Sequence, residues 1–450
     1  MGHQKLEHAI VIGGSIAGLL ATKVVSEVFE RVTLIERDPF PHSPQPRRGV
    51  PQSVQPHVLF TRGFQIMEQH FPGLGEALTT AGVVTIDWGR EFHLFTMGGW
   101  NATFEGESEL QSVTCSRYLL ETVIRQQVAK LPNVQFLDGC KVQGLVMAGN
   151  HATIQGVRYQ RLGDSDSTTL AADLVVDASG RGSSAPQWLR QLGLTPPPQT
   201  RVDGGLGYAT RRYRIPDSAK PNCKVMLITH EPPDQPRLGY LAQIENDQWI
   251  ATLGGYGKKY PPLDTEGFLA FAQTLDQPHF YQAICNAEPC SDIMAHRATA
   301  NRLYHYEKID LTSGFVAIGD AVCALCPVYG QGMTVSALSS MVLQHWLAQV
   351  QSSGDALNGT TFQKQLARSN ASPWSLATLR DSEFAFTQGA IKSKGLSKIL
   401  SPILLGYMQR LLKQTQQDGE MHLRMMEMAH LLRSPASLFH PQIVSKVLLS

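Results

Sequence analysis

The chain has 450 residues, of which 42% are hydrophobic and 17% charged, and its formal net charge is +1. Because one hydrophobic core rarely serves so long a chain, we expect two or three domains. The near-neutral charge gives no basis for a nucleic-acid partner. No apolar run reaches the roughly 18 residues of a membrane span, and the first residues lack the apolar core of a signal peptide.

The seven cysteines show neither the spacing of a disulfide framework nor that of a zinc site. We therefore predict a reduced, soluble, cytoplasmic protein without a metal site. The sequence does not indicate an oligomeric state.

The chain opens with an apolar strand from His8 to Gly13, a glycine-rich turn, a helix to about Phe29 and a second strand from Val32 to Glu36. This order predicts a βαβ dinucleotide-binding unit, in which Glu36 stands where a ribose-binding carboxylate belongs. Ser15 replaces the second glycine of the Gly-x-Gly-x-x-Gly pattern, but it still allows close backbone approach and can donate to a phosphate. The alternative is an ordinary tight turn between strand and helix.

Residues 38–56 contain six prolines and the pair Arg47-Arg48, which predicts an ordered extended loop. A helix is expected from His57 to His70, and strand-like alternation follows from Gly82 to Thr103. Ser116 is a suitable N-cap for a helix from Arg117 to Lys130.

The segment Val134 to Leu137 and a hairpin around Gly163 to Asp166 lead to a further buried strand, expected at Leu174 to Asp177. Three consecutive prolines, Pro196 to Pro198, indicate a crossing into a second domain made mostly of strands. Residues after about Thr360 read as mainly helical. The amphipathic stretch from Leu396 to Lys413 leaves a peripheral membrane contact open, although its few basic residues favour docking on the protein itself.

The stretch from Gly314 to Met333 predicts a buried strand that ends in Gly319-Asp320, a loop rich in proline and glycine, and a helix that begins near Thr334. An Asp at a strand end can accept hydrogen bonds from ligand hydroxyl groups, and the free N–H groups of a first helical turn can bind an oxyanion. The helix is expected to end near Gly354.

Three glycine-rich segments can be taken together: Gly13 to Glu36, Asp177 to Gly180, and Gly319-Asp320 through Gly332-Met333. They resemble the class A flavoprotein monooxygenases, the family of single-component aromatic hydroxylases and of squalene and polyether epoxidases. The resemblance spans roughly residues 7 to 350. It implies an α/β fold with a glutathione-reductase-like Rossmann FAD-binding domain, an inserted antiparallel-sheet substrate domain and a C-terminal helical region.

The expected FAD-binding domain comprises residues 1–80, 107–197 and 307–355. The substrate domain comprises residues 81–106 and 198–306, and the helical region residues 356–450.

The resemblance also implies which residues bind FAD. Glu36 would bind the adenosine ribose, Asp320 the ribityl chain, and Arg117 the phosphate or ribityl region. The remaining residues of the expected site are Gly13, Ser15, Ile16, Ala17 and Gly18 in the first turn; Arg37, Arg47, Arg48 and Val50 along the loop; Val142 against adenine; Asp177; and Gly319, Pro327, Gly330, Gly332 and Met333 around the flavin. Cys323 and Thr334 depart from the hydroxylase pattern, in which many members have His and Asn.

The family resemblance implies an FAD-dependent monooxygenase that uses NAD(P)H as a transient reductant and O2, and that epoxidises or hydroxylates an apolar specialised metabolite through a flavin C4a-hydroperoxide. No catalytic residue is assigned. The alternatives are a flavin-dependent double-bond reductase, a halogenase, and a scaffold that retains flavin and binds or cyclises its ligand without redox chemistry. The halogenase is disfavoured because the sequence has no Trp-x-Trp-x-Ile-Pro string. Cys323 and Cys326 form a Cys-x-x-Cys pair for which packing is the favoured interpretation and redox exchange the alternative.

Overall fold

A computed structural model describes residues 6–149, 153–311, 313–391 and 396–449, with the backbone alone for residues 396–403, 405 and 449. The strands in these ranges are β1 Leu6–Ile12, β2 Phe29–Ile35, β3 Val84–Asp87, β4 Phe92–Thr96, β5 Gly99–Trp100, β6 Gln111–Thr114, β7 Val134–Leu137, β8 Cys140–Met147, β9 Ile154–Arg161, β10 Thr168–Ala171, β11 Leu174–Asp177, β12 Gln199–Val202, β13 Gly207–Arg214, β14 Val225–Ile228, β15 Arg237–Ile244, β16 Gln248–Gly255, β17 Glu288–Pro289, β18 Met294–His296, β19 Asn301–Tyr304, β20 Phe315–Ala317 and β21 Cys323–Ala324.

The α-helices in the same ranges are α1 Ile16–Ser26, α2 Thr61–His70, α3 Leu74–Thr80, α4 Arg117–Val128, α5 Ala185–Gln191, α6 Thr265–Ala272, α7 His279–Ile284, α8 Gly332–Ser353, α9 Gly359–Asp381, α10 Leu396–Gln414, α11 Gly419–Ala429 and α12 Pro441–Leu449. None of them is long and apolar enough to cross a membrane in the part of the chain that is described. Short 3-10 turns occur among others at Pro51–Val54, Gly180–Gly182 and Pro327–Tyr329.

A five-stranded parallel sheet in the order β20-β11-β1-β2-β7 forms the centre of the first unit. Its strands are almost continuously apolar, as expected when both faces of a parallel sheet are covered. Residues of β1, β11 and β20 share one core with residues of α1 and α8. The antiparallel strands β8, β9 and β10 form a separate three-stranded sheet.

The second unit is an eight-stranded sheet in the order β17-β13-β16-β15-β14-β4-β5, with β18 also paired to β13. Its strand β4 comes from much earlier in the chain and pairs with β14 in parallel, Phe92 opposite Val225. Side chains alternate between its two faces. Ala209 and Leu253 point to the face that packs on α6 and α7. Neighbouring Tyr208 lies in a different cluster on the opposite face.

The predicted α/β fold class, with a parallel sheet, antiparallel sheets and a helical C-terminal region, is confirmed. The exact domain boundaries stay a prediction. Helix α2 begins at Thr61 rather than at His57, so the expected start was four residues too early. The amphipathic stretch from Leu396 does form a helix, α10, but many side chains of its faces lie outside the described residues.

Candidate functional site

Three glycine-rich turns meet at the carboxyl ends of β1, β11 and β20. Gly13 has φ +101°, and a Cβ atom there would lie 2.6 Å from the carbonyl oxygen of Ala178. Gly319 has φ +57°, and its Cβ would lie 2.8 Å from that of Ala17. These close approaches bring the three predicted segments together at one edge of the sheet, which is where doubly wound folds bind ligands.

The N-terminus of α1 is open to a ligand. Its N-cap residue, Ser15, makes no side-chain hydrogen bond to the first turn, so the first N–H groups are left for another acceptor. Gly18 is required here because a Cβ would lie 1.7 Å from the carbonyl oxygen of Gly13. Ile16 is buried, whereas Ala17 remains partly accessible.

Glu36 follows β2 and lies next to this turn. One carboxylate oxygen accepts a hydrogen bond from the backbone N–H of Gly14 at 2.7 Å, and the other accepts from the N–H of Asp38 at 3.0 Å. The guanidinium of Arg47 is 3.3 Å from the same carboxylate. The predicted ribose-binding acid is therefore held rigidly beside the first glycine turn.

Arg47 and Arg117 converge on a buried carboxylate, Glu121, which the sequence analysis missed. Arg47 donates to Glu121 Oε1 through Nε at 2.9 Å and Nη2 at 2.6 Å. Arg117 Nη1 is 3.2 Å from Oε2, which also accepts from the hydroxyl of Ser15 at 2.8 Å. Glu121 lies four residues after Arg117 on α4, and this i, i+4 spacing is the sequence signal that could have identified it.

The two arginines of this network keep Glu121 ionised near the α1 N-terminus. Burial by itself raises the pKa of the Glu121 carboxyl, but the charges of Arg117 and Arg47 outweigh it and hold that pKa below its ordinary value. Nη1 of Arg117 is buried and pairs with Glu121 Oε2 at 3.2 Å, without the geometry of a hydrogen bond. Its Nη2 donates to the hydroxyl of Ser15 at 2.8 Å.

The other loop residues differ in accessibility. Arg37 is exposed and donates to the carbonyl oxygen of Gly49 at 2.7 Å. Arg48 is also exposed, in contrast to the buried Arg47 beside it. Val50 is buried and precedes the 3-10 turn Pro51–Val54.

We call the three turns, together with Glu36 and the Arg47–Glu121–Arg117 network beside them, the groove. Val142 and Asp177 belong to different elements next to it. Val142 is on β8, whose first residue, Cys140, donates its N–H to the carbonyl oxygen of Glu36 at 2.8 Å. The Asp177 side chain is fully buried and accepts from the hydroxyl groups of Ser179 and Ser183, each at 2.5 Å. The Asp177 carboxylate therefore stabilises the turn after β11 through hydrogen bonds inside that turn.

Asp320 follows β20 and retains 34% of its side-chain accessibility, although it is recessed in the molecule. Burial raises the pKa of its carboxyl group, and the charges of Arg181 and Arg302 act in the opposite direction. Its carboxylate is 3.7 Å from Nε of Arg181, too long for a hydrogen bond. Its oxygens are therefore available to ligand hydroxyl groups.

The N-terminus of α8 faces open space. A Cβ atom at Gly332 would meet no described atom within 4 Å, while the neighbouring Met333 is buried. The buried Oε1 of Gln331 has no partner in the described part of the chain. Gly330 has φ +67°, and its Cβ would lie 3.0 Å from the ring of Phe60. The preceding 3-10 turn, Pro327–Tyr329, begins with an exposed proline.

His57 is a further titratable group near this groove. Burial lowers its pKa to about 3, with the charge of Arg117 acting in the same direction. Its Nδ1 lies 2.9 Å from the carbonyl oxygen of Gln55. A neutral imidazole is thus held between the loop and α2.

The Cys-x-x-Cys pair is not a thiolate site. Cys323 and Cys326 are both buried and unbridged, and burial raises the pKa of each thiol far above its ordinary value. Since the thiolate is the reactive form, this favours packing over redox exchange.

The residues present fit FAD. The groove offers an acid for a ribose hydroxyl, an open helix N-terminus beside Arg117 for a pyrophosphate, an accessible acid for the ribityl chain, and a second open helix N-terminus for an electron-rich ring. Arg47 is engaged by the acids around it and holds them in place. At Gly13, Gly18 and Gly319 neighbouring atoms leave no room for a side chain, so that the three turns can approach one another closely. Among the described residues no cluster of His, Cys, Asp and Glu could hold a metal ion.

The comparisons with known proteins agree with this geometry. The chain is 31% identical to Protein Rv3254 of Mycobacterium tuberculosis (strain ATCC 25618 / H37Rv) over 386 residues, which cover 84% of this chain and 81% of that protein. No protein-family model matches the chain.

Among solved structures, the flavin-dependent brominase Bmp2 is similar with a TM-score of 0.69 at 16% identity, over 98% of each chain. PqsL, a probable FAD-dependent monooxygenase from Pseudomonas aeruginosa, is similar with a TM-score of 0.60 at 16% identity, over 84% of this chain and 94% of that one. At such identities the likeness establishes the fold.

Proposed function

Since this chain belongs to the family of Protein Rv3254 and has the fold of the class A flavoprotein monooxygenases, we propose that it is an FAD-dependent monooxygenase that takes electrons from NAD(P)H. The observation that carries this proposal is the convergence of the three turns at the carboxyl ends of β1, β11 and β20. Glu36 and the Arg47–Glu121–Arg117 network lie beside the first turn, and Asp320 lies close enough to feel the charge of Arg117.

Each part of the groove has a distinct task in this proposal. Glu36 accepts a hydrogen bond from the adenosine ribose, and Arg117 with the α1 N-terminus neutralises the pyrophosphate. Asp320 orients the ribityl chain. The N–H groups of Gly332 and Met333 face the N1–C2=O end of the ring and stabilise negative charge there. FAD supplies the redox and oxygen chemistry when it is bound.

A buried apolar cluster lies next to the α8 N-terminus. Val328 and Tyr329, which precede the helix, pack against Tyr208 and Leu238 of the large sheet and against Leu206, which directly precedes β13. Apolar packing of this kind keeps water away from that side of the helix N-terminus and is compatible with an apolar substrate. We therefore propose epoxidation or hydroxylation of an apolar specialised metabolite, in the cytoplasm.

A halogenase is the second candidate, and the likeness to a brominase over 98% of both chains favours it. Against it stands the absence of a Trp-x-Trp-x-Ile-Pro string from the sequence. The two functions differ in their source of electrons, because a halogenase can rely on a separate flavin reductase. A double-bond reductase and a non-redox flavin scaffold are the remaining alternatives.

The test is to load the protein with FAD, add NADPH or NADH under argon and follow the loss of flavin absorbance. Air is then admitted, with and without an apolar alkene and with and without bromide. The proposal expects direct bleaching, followed by O2 consumption and incorporation of one oxygen atom into the alkene.

Failure of both nicotinamides to bleach the flavin would contradict the monooxygenase. In that case, turnover after addition of a flavin reductase and bromide would support the halogenase. No turnover under these conditions would support the non-redox scaffold. Bleaching with alkene reduction and no O2 consumption would support the double-bond reductase.

A further inference from the structure

Asp381, the last residue of α9, is a buried carboxylate held entirely by neutral donors. Its Oδ1 accepts from the hydroxyl groups of Tyr329 at 2.6 Å and Tyr256 at 2.8 Å. Its Oδ2 accepts from the amide of Asn301 at 2.6 Å. The side chain is 1% exposed and forms no ion pair with a described residue. Three donors at these distances offset part of the loss of hydration that an isolated carboxylate would suffer, although burial still raises the pKa of the Asp381 carboxyl group.

The three donors come from separate parts of the fold. Tyr329 ends the 3-10 turn before α8, Tyr256 directly follows β16 of the large sheet, and Asn301 begins β19. Asn301 also accepts the backbone N–H of Cys326 at 2.7 Å. Asp381 therefore holds both ends of the segment 326–329, one directly and one through Asn301.

This segment determines where α8 begins. Gly330 follows it in the left-handed conformation, and its N–H donates to the carbonyl oxygen of Pro327 at 3.0 Å. The open helix N-terminus at Gly332 lies only two residues further on. A shift of Cys326 or Tyr329 is thus transmitted to the N–H groups that face the proposed flavin.

We propose that Asp381 is a positioning residue of the flavin site, which fixes the segment 326–329 and through it the N-terminal N–H groups of α8. The C-terminal helical region is then part of the cofactor site, although it lies outside the parallel sheet. The proposal rests on FAD being the ligand of this groove.

The structure offers a matched pair of variants. Tyr329→Phe and Tyr256→Phe each remove one hydroxyl donor to the same Oδ1 atom. Tyr329 belongs to the segment, whereas the Tyr256 hydroxyl reaches it only through a weak contact with Cys326 Sγ at 4.0 Å. In Asp381→Asn, the new amide would face the amide of Asn301. One of the two amide groups must then rotate so that an NH2 group does not face another NH2 group. If Asn301 rotates, its hydrogen bond with the backbone N–H of Cys326 is lost.

The experiment measures the FAD dissociation constant, the visible circular dichroism of bound FAD, and hydrogen exchange of residues 326–334 in the FAD-free protein. Asp381→Asn and Tyr329→Phe are expected to weaken FAD binding about tenfold, to alter the dichroism and to speed exchange in this segment. Tyr256→Phe is expected to lower the unfolding temperature comparably but to weaken FAD binding clearly less than Tyr329→Phe, because its hydroxyl touches the segment only through Cys326 Sγ at 4.0 Å.

Equal effects of the two tyrosine variants on FAD affinity, or no effect of either, would overturn the proposal. The tyrosine pair decides the matter even if Asp381→Asn fails to fold. None of these measurements needs turnover. If the protein binds FAD but does not oxidise NAD(P)H, the monooxygenase proposal is refuted, while the FAD affinities of the variants still decide this inference. If the wild-type protein does not bind FAD, the proposed function and this inference fail together; exchange then reports only whether Asp381 orders the segment.

Discussion

The Nδ1 atom of His430, at the end of α11, accepts a hydrogen bond from the backbone N–H of Thr61 at 3.2 Å and so caps the first turn of α2. Helix α2 has no side-chain cap of its own. The imidazole also stacks on the ring of Phe60, 4.4 Å between centroids. Because Nδ1 is an acceptor, the ring must be neutral, and burial lowers its pKa to about 3.

This contact predicts loss of stability in mild acid. A histidine whose pKa is lower in the folded than in the unfolded protein contributes stability that is complete well above pH 6.5 and is lost as the pH falls toward 3. For His430 alone the loss between pH 8 and pH 5 is about 2 kcal/mol. Denaturant unfolding at pH 8, 6.5, 5.5 and 5 measures it.

His430→Gln is expected to be less stable than wild type at pH 8, by about 1 kcal/mol for the weakened cap, and to lose less stability on acidification. His440→Gln is the control, because His440 is exposed. Identical pH slopes for wild type and His430→Gln would rule out a buried neutral imidazole at this position.

The same contact explains why the start of α2 could not be predicted. The expected start was His57, whereas the residue that caps the helix lies 369 positions away in the sequence. By contrast, β11 was predicted with its correct bounds. It is a short, largely apolar run of a parallel sheet and is specified by local composition.

The pair Arg47-Arg48 gives the second prediction, since two adjacent arginines have opposite environments. Arg47→Met removes the cation that pairs with Glu36 and Glu121, so both acids lose a buried partner; breaking such a pair costs about 3–5 kcal/mol. FAD affinity is expected to fall by at least about tenfold. Arg48→Met is expected to change unfolding by no more than about 0.5 kcal/mol.

Thermal unfolding and FAD titration of both variants test this difference. If Arg48→Met weakens FAD binding as much as Arg47→Met does, the exposed Arg48 side chain turns inward when FAD binds. That result would agree with the place in the FAD site that the family resemblance implies for Arg48.

Sequence patterns predicted the turns and acids of the candidate site, but not the buried carboxylates that hold its loops in place. Gly13, Glu36 and Asp320 are recognisable because each occupies a fixed position in a strand–turn–helix unit. Glu121 and Asp381 are not, because an acid within a helix usually faces solvent. Only the packing of α4 and α9 against distant loops buries these two carboxylates.

The cysteines give a third prediction, which concerns reactivity. Cys285 and Cys290 are partly accessible, while the other five, Cys326 among them, are buried. Brief treatment of the native protein with iodoacetamide at pH 8 should label these two alone, and treatment after denaturation should label all seven. Peptide mass spectrometry locates the labels. Rapid native labelling of Cys326 would restore the redox interpretation of the Cys-x-x-Cys pair.

The open N-terminus of α8 provides the last prediction, in which stability and ligand binding change in opposite directions. A side chain at Gly332 meets no described atom within 4 Å, and the first turn of α8 contains no acidic residue. Gly332→Asp is therefore expected to stabilise the FAD-free protein by about 0.3–1 kcal/mol through the helix dipole. The same carboxylate competes for the N–H groups that the proposed flavin requires, so FAD binding should weaken at least about tenfold.

Gly332→Asn is the matched control, because it has nearly the same size without the charge. Its effect on FAD affinity should be clearly smaller, and its effect on thermal unfolding should not depend on salt, whereas that of Gly332→Asp should decrease as salt screens the dipole. If the two variants weaken FAD binding equally, bulk rather than charge is responsible, and the helix N-terminus does not stabilise an electron-rich group at this point.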